Sequence, residues 1–408
     1  MKIVVYDWGG FNTQITTKHL TELGHDVEIF ECKCNDYNSD MNLAMKLMEK
    51  INTRHYDALV SYNYIPIIAV ACNVCNIPYY SWIFDSPHLT MFSNSIHYPT
   101  NHVGAFDRQL VEDFASRGVS TVYHVPLACD PVDMRKRIRR GSNRIANRSI
   151  TTSGDVSFVG SLYTDARRLN YYDKFKSEGS KQGSEISRIW SDIDTMIDKQ
   201  CFNYEEDFLT ENEKIDYAYL KQLVIDEGLS LGPDYFATPQ DIVVSSLLER
   251  KVTVVERQQL MSAVAAHCVN RYRFNLFTTS DTSWDKNLDA VNRGPVEYDS
   301  EMPSVFANSR INLHVTLRSI HTGIPLRVMD ILSCGGFLLC DPQTEVLENF
   351  VDGEDIAVYH SVEECMDKID YYLSHEDVRA KIAAKGQRTV EKLFNYNDML
   401  SRLLSGGN

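Results

Sequence analysis

No run of about 18 uncharged apolar residues occurs in the sequence, so no membrane-spanning helix is expected. The longest apolar stretches, near residues 64–75 and 331–340, are too short. The opening MKIVVYDWGG lacks the basic segment, apolar core and small-residue cleavage site of a signal peptide, so cytoplasm is the expected location. Glycine (20) and proline (12) are too scarce among 408 residues for a collagen-like or disordered chain. Positive charge is in deficit, with 41 Lys and Arg against 56 Asp and Glu and a net charge of −15. That excludes a general nucleic-acid footprint but leaves room for a local basic site that binds phosphates. The length predicts two or three domains at about 100–200 residues each.

Metal and redox signatures are equally thin. Ten cysteines are spread at low density, unlike a disulfide scaffold. Cys72-Asn-Val-Cys75 and Cys32-Lys-Cys34 lack a partner pair with zinc-site spacing and read as buried thiols. Asp192-Ile193-Asp194 has the spacing of a metal-binding acid pair, but it falls in a polar helix and reads as a solvated face. The expected chemistry is therefore metal-independent, with no cofactor. The first turn, Asp7-Trp8-Gly9-Gly10-Phe11-Asn12, lacks the full Gly-x-Gly-x-x-Gly fingerprint, which disfavours a nicotinamide or flavin oxidoreductase.

What is present is an alternation of short apolar strands and helices. Residues 2–6, 27–31, 58–61, 79–83 and 122–124 read as strands, separated by helical patterns. Several strands are continuously apolar, as parallel strands covered on both faces should be. This predicts one α/β domain over residues 1–150. The basic stretch 135–153 reads as a solvated linker. A second α/β domain covers 151–394, beginning with the strand 156–159 and the loop Gly160-Ser161-Leu162-Tyr163. Within it, residues 186–267 form a helical insertion, with helices expected at 186–199, 213–227, 242–256 and 258–268.

The strongest local signal is residues 313–342, LHVTLRSIHTGIPLRVMDILSCGGFLLCDP. A strand ends near Thr316, Arg318 and His321. Thr322-Gly323-Ile324-Pro325 turns the chain, and Pro325 can start the following helix. Free amides at that terminus can bind a phosphate, and Arg318 adds bidentate donors to the same anion. Asp330, one turn into the helix, can accept from both hydroxyls of a ribose. Arg327 and the pair Gly335-Gly336 complete a pattern that favours a nucleotide site.

This segment resembles the carboxyl-terminal domain of the CgeB-like, spore-maturation-type glycosyltransferases. The matching residues are Ser157-Phe158-Val159-Gly160-Ser161, Ser309-Arg310-Ile311-Asn312-Leu313 and His321 through Asp330, continuing to Leu339; Phe394-Asn395-Tyr396 also fits. The resemblance spans about half the chain. It implies a GT-B architecture, with two facing Rossmann-like domains and a nucleotide-sugar in the second. It places Gly160, Ser161 and Tyr163 in the loop facing the diphosphate, with Arg318 and Arg327 around it. It also sends the last helix, 395–404, back onto the first domain. The family usually holds the ribose with a glutamate; Asp330 is the shorter acid here. The family also usually lacks so long an insertion as 186–267, which leaves the acceptor groove, a partner surface or self-association open as its use.

The expected activity is transfer of a sugar from a nucleotide-diphosphate sugar, with UDP preferred, to a glycan, protein or small-molecule acceptor. Fixed guanidinium groups and amides would stabilise the leaving diphosphate. Asp85 and His88, at a strand end, are the candidate bases of an inverting transfer. Trp8, Gly10, Phe11, Asn12 and His321 are expected on the acceptor side. The alternative is a catalytically inactive nucleotide-binding module that captures partners through its insertion; the oxidoreductase stands behind it.

Overall fold

The computed structural model describes residues 1–10, 12–148, 153–164, 171–179, 183–210, 212–226 and 234–407. Phe11 lies outside them. The first sheet has six parallel strands in the order β2-β1-β3-β4-β5-β6. These are β1 (Lys2–Asp7), β2 (Asp26–Glu31), β3 (Ala58–Tyr62), β4 (Tyr79–Trp82), β5 (Asn101–Ala105) and β6 (Val122–His124). Ile3 pairs with Val27 on one side and Ala58 on the other. The inner strands are buried on both faces, which is why they read as unbroken apolar runs.

The second sheet has five parallel strands in the order β11-β10-β9-β7-β8. These are β7 (Gly154–Val159), β8 (Phe274–Phe277), β9 (Ser309–His314), β10 (Leu338–Cys340) and β11 (Ala357–Val358). Between β7 and β8 the chain makes the helices Ser184–Gln200, Tyr217–Asp226 and Pro239–Val243, a π-helical turn, and the helix Glu249–Cys268. Two parallel-sheet Rossmann-like domains with a helical insertion in the second make up the GT-B architecture.

The terminal helix Tyr396–Leu404 returns to the first sheet. Tyr123 donates to the carbonyl of Leu403 at 2.5 Å, and Leu403 fills the space where a Cβ on Gly104 would sit, 2.7 Å away. The helix buries Tyr396, Met399, Leu400 and Leu403, each burial contributing about 1.5–3 kcal/mol.

Two expectations change. Residues 135–148 are not a linker but most of the helix Pro131–Arg148. The Asp130 carboxylate caps it through the amide of Asp133, Pro131 suits its first turn, and Arg137 pairs with Asp133 and Asp299. The break expected at residue 257 is also absent: one helix runs from Glu249 to Cys268, as the lack of glycine and proline there allows. All ten cysteines are free, and burial pushes the Cys72 thiol well up. Asp194 accepts from Tyr172 and pairs with Lys176 at 2.5 Å, so it serves a helix face. Among the described residues no group of three or more His, Cys, Asp or Glu could hold a metal ion, and no helix is long and apolar enough to cross a membrane.

Candidate active site

The domains meet at the carboxyl ends of their strands, where α/β sheets bind ligands. The meeting is a clasp. Asp107, just past β5 and 2% exposed, accepts from the amides of His321 (2.6 Å) and Thr322 (3.2 Å) and from the Thr322 hydroxyl (2.8 Å). The same Thr322 hydroxyl, with one hydrogen shared between two carboxylates, lies 2.9 Å from Glu345. Gly323 packs so closely that a Cβ there would come within 2.8 Å of the Phe106 carbonyl oxygen. Ile324 is buried in the apolar cluster shared by both domains. The amides of His321, expected on the acceptor side, and of Thr322, expected around the donor, are therefore satisfied by a carboxylate of the first domain.

Arg318 is also committed elsewhere. Its Nε donates to both oxygens of Glu256 at 3.1 and 3.0 Å, and its Nη2 bonds Glu256 again. Nη1 donates to the Asn203 carbonyl at 2.9 Å, and the guanidinium lies 4.1 Å from the Tyr204 ring centre. Arg318 thus fastens the insertion to the loop after β9. Its fork is taken up by Glu256, the Asn203 carbonyl and the Tyr204 ring.

The cations beside the Gly160–Tyr163 loop come instead from the insertion helix Glu249–Cys268. Arg257 donates to the carbonyls of Ser161 (2.6 Å) and Val315 (2.5 Å). Its guanidinium stands 4.9 Å from the Tyr163 ring centre, and that of Arg250 stands 5.3 Å from the same ring. Tyr163 adopts φ 57°, which turns its ring to meet both arginines. Among the described residues neither arginine has a carboxylate at ion-pair distance, and burial pushes both pKa values down. Burial, and after it the positive charges of Arg257 and Arg327, push the His314 pKa well below its ordinary value.

Sequence reading missed Arg250 and Arg257, yet the signal is there: Glu249-Arg250 and Glu256-Arg257 are two Glu-Arg pairs seven residues apart. Seven residues are about two helical turns, so each residue type lines its own stripe. Arginines face the Gly160–Tyr163 loop, while glutamates face Arg318 and His321.

Asp330 is 3% exposed, accepts from Tyr298 at 3.0 Å and pairs with Arg327 at 3.1 Å. It shares with Asn12 a cavity of about 20 Å³. That volume fits a single water and not a ribose. The two residues, one from each domain, are brought together, and the space between them is closed in this arrangement. Trp8 is exposed, with its ring over Gly10, and lines none of the cavities described.

His88 Nε2 lies 3.0 Å from both the amide nitrogen and the carbonyl oxygen of Tyr64 and 2.7 Å from the Thr90 hydroxyl, so this nitrogen is engaged within its own domain, and burial pushes the pKa of the ring down. Asp85 is exposed and accepts from Asn63 at 2.7 Å through one oxygen. His321 pairs with Glu249 at 2.7 Å, and that charge pushes its pKa up to about 10, so it is a cation at neutral pH.

Burial pushes the carboxyls of Asp330 and Asp341 up to about 6, above the ordinary value of about 3.9. Between about pH 4 and about pH 6 the folded chain holds protons that the unfolded chain releases, so this contribution to stability falls as pH rises through that window. Asp341 accepts from the Thr316 amide and hydroxyl. Asparagine can still accept there, so Asp341→Asn is expected to flatten that decline in urea midpoints measured across the window. An unchanged slope would assign the decline to other groups.

Residues 251–405 match the family model described as "Glycosyl transferase-like". No curated protein matches the chain in sequence. Among solved structures, a glycosyltransferase from Rickettsia africae is similar, with a TM-score of 0.54 and 11% identity over 99% of this chain and 97% of that one. HepE of Anabaena in complex with UDP-glucose superposes with a TM-score of 0.52 at 12% identity, covering 99% and 98%. Sucrose-phosphate synthase of Thermosynechococcus elongatus gives a TM-score of 0.52 at 11% identity, covering both chains fully. These likenesses show the GT-B fold.

Proposed function

We propose that this chain is a glycosyltransferase that moves a sugar from a nucleotide-diphosphate sugar, UDP-linked by preference, to a hydroxyl acceptor. The observation that carries the reading is the arrangement of Arg250 and Arg257 around Tyr163. Two desolvated guanidinium groups without a carboxylate partner among the described residues, beside a loop at a strand end, form a site for an anion. As the bond from the sugar to the diphosphate breaks, negative charge grows on the leaving oxygen, and cations already in place stabilise it. Gly160, Ser161 and Tyr163 supply the loop, and Arg327 adds a cation tethered by Asp330. Arg318 has no part in the donor site.

The family match over 251–405 supports the transferase reading, and HepE, with UDP-glucose on the same fold, supports UDP. The residue-by-residue match from His321 to Leu339 supports a place among the CgeB-like enzymes. Asp330 takes the ribose in this reading only when the small cavity shared with Asn12 opens. Asp85, with one oxygen uncommitted, is the first-domain carboxylate offered to the acceptor proton.

Incubating the purified chain with radiolabelled UDP-glucose and a panel of other nucleotide-sugars tests the reading. Donor binding together with slow release of free sugar is expected. Binding with no turnover on any acceptor would mark a nucleotide-binding module instead, and no binding across the panel would contradict both.

A further inference from the structure

The carboxyl ends of β2, β1, β3 and β4, which are neighbours in the first sheet, form one rim made of residues 7–10, 32–40, 63–65 and 83–88. That is the edge at which an α/β sheet takes ligands. Asp85 stands on it, and the next residue, Ser86, donates to the Ser319 carbonyl of the second domain. Asn12, on the loop after β1, shares its small cavity with Leu326, the residue before Arg327. The rim therefore adjoins the helix that carries one of the donor cations. Two larger cavities, of about 440 and 310 Å³, border Glu249 on the other face of the insertion helix, and Asp85 lines neither.

Two aromatic side chains project from this rim. Trp8 is 41% exposed and Tyr37 43%. Neither the Trp8 indole nitrogen nor the Tyr37 hydroxyl has a hydrogen-bond partner among the described residues. Exposed apolar side chains grouped at one place mark a binding surface. The backbone that carries Tyr37 is nevertheless fixed. Its carbonyl accepts from the Ile67 amide at 2.9 Å, and Asp36 accepts from the Asn38 amide at 2.8 Å and the Ser39 hydroxyl at 2.6 Å. The insertion props the same loop, where the Tyr235 hydroxyl donates to Asn38. The Asp85 loop is held as well: Asn63 donates to Asp85 at 2.7 Å and accepts from the Phe84 amide at 2.9 Å. Tyr37 and Asp85 are near enough that the Asp85 charge, after burial and the Cys34 thiol, helps to push the Tyr37 phenol up.

The rim is acidic. It carries Asp7, Asp36, Asp40 and Asp85 against the one cation Lys33, and His88, its pKa lowered by burial, adds no charge at neutral pH. Carboxylates without matching cations reject a phosphate or carboxylate on the ligand. Aromatic faces suit the C–H face of a sugar ring, and carboxylates accept from its hydroxyls.

We propose that Trp8 and Tyr37 bind the acceptor beside Asp85, and that the acceptor is a neutral carbohydrate without phosphate or carboxylate. A sugar ring lies with its C–H face on the aromatic side chains, and its reacting hydroxyl meets the uncommitted oxygen of Asp85. The hydroxyl oxygen forms the new bond to the anomeric carbon of the donor, and its proton passes to Asp85. The bond from that carbon to the diphosphate breaks, and its electron pair leaves on the nucleotide. The insertion, through Tyr235, holds the loop that presents Tyr37. Naming the ligand the acceptor rests on the transferase reading; its charge class rests on the rim alone.

The test applies the full chain, with and without saturating UDP, to an array of neutral, sialylated and phosphorylated glycans. Binding is expected on neutral glycans alone. Trp8→Ala and Tyr37→Ala lie at exposed positions, so circular dichroism should show the parent fold. Each is expected to weaken glycan binding about 3- to 10-fold, the worth of one aromatic contact, and to leave UDP affinity as in the parent. Charged glycans bound as tightly as neutral ones, both variants binding as the parent does, or no glycan bound overturns the inference. Calorimetry reads UDP separately, so glycan binding by a chain that does not bind UDP would support the rim and contradict the donor reading.

Discussion

Replacing Arg257 with methionine is expected to weaken UDP binding by about 10- to 100-fold, the worth of one or two charge-assisted hydrogen bonds in a desolvated site. Titration calorimetry reads this directly. Arg257 also holds the carbonyls of Ser161 and Val315, so the variant should lose about 1–3 kcal/mol of stability as well. The titration therefore belongs at a temperature where circular dichroism shows the variant folded. Arg250→Ala separates the two effects. Its guanidinium lies over the Tyr163 ring, and no side-chain hydrogen bond or ion pair among the described residues uses it. It should cost about tenfold in UDP affinity with little change in stability. If both variants bind UDP as the parent does, the arginines are structural and the donor reading loses its carrying observation.

The second large effect is on stability. Arg318→Met leaves Glu256, whose side chain is 1% exposed, as an uncompensated buried charge. Removing one partner of such a pair costs about 3–5 kcal/mol, which urea denaturation should show as a clear drop in midpoint. Replacing both partners, Arg318→Met with Glu256→Met, should recover most of that loss, because the desolvation of both charges goes with them. UDP affinity should be unchanged in both variants. A stability near that of the parent combined with a marked loss of UDP affinity would return Arg318 to the diphosphate, where its position in the sequence first suggested it belonged.

That contrast shows what the chain makes legible and what it hides. The strands of both sheets are plain because burial on two faces leaves unbroken apolar runs such as Ile3–Tyr6. The helix Leu326–Ser333 is plain because Pro325 and the Gly335-Gly336 pair bracket it. Charges are harder. Arg318 looks free in sequence because its partner, Glu256, lies 62 positions earlier on an insertion whose docking no local pattern announces. A still greater separation hides Asp107, whose carboxylate takes the amides of His321 and Thr322 from 214 and 215 positions away. Arg250 and Arg257 were concealed by an expected helix break at residue 257. Once the helix is continuous, the seven-residue repeat of Glu-Arg becomes a signal of two stripes of opposite sign. The basic stretch around Arg135–Arg140 misleads in the other direction, since charge alone suggests a linker while the cap from Asp130 makes a helix.

The acidic balance of the chain acquires a local meaning from this arrangement. Fifteen net negative charges would repel a nucleotide diphosphate from most of the surface. Arg250, Arg257 and Arg327 border a region where that repulsion is reversed.

A crystal structure of the chain with UDP tests the central claim most directly. Diphosphate oxygens are expected at the Gly160–Tyr163 loop, within hydrogen-bond distance, about 2.7–3.2 Å, of the Arg250 or Arg257 guanidinium. A diphosphate bound on the glutamate side of the helix Glu249–Cys268, or bonded to Arg318 in place of Glu256, would contradict it.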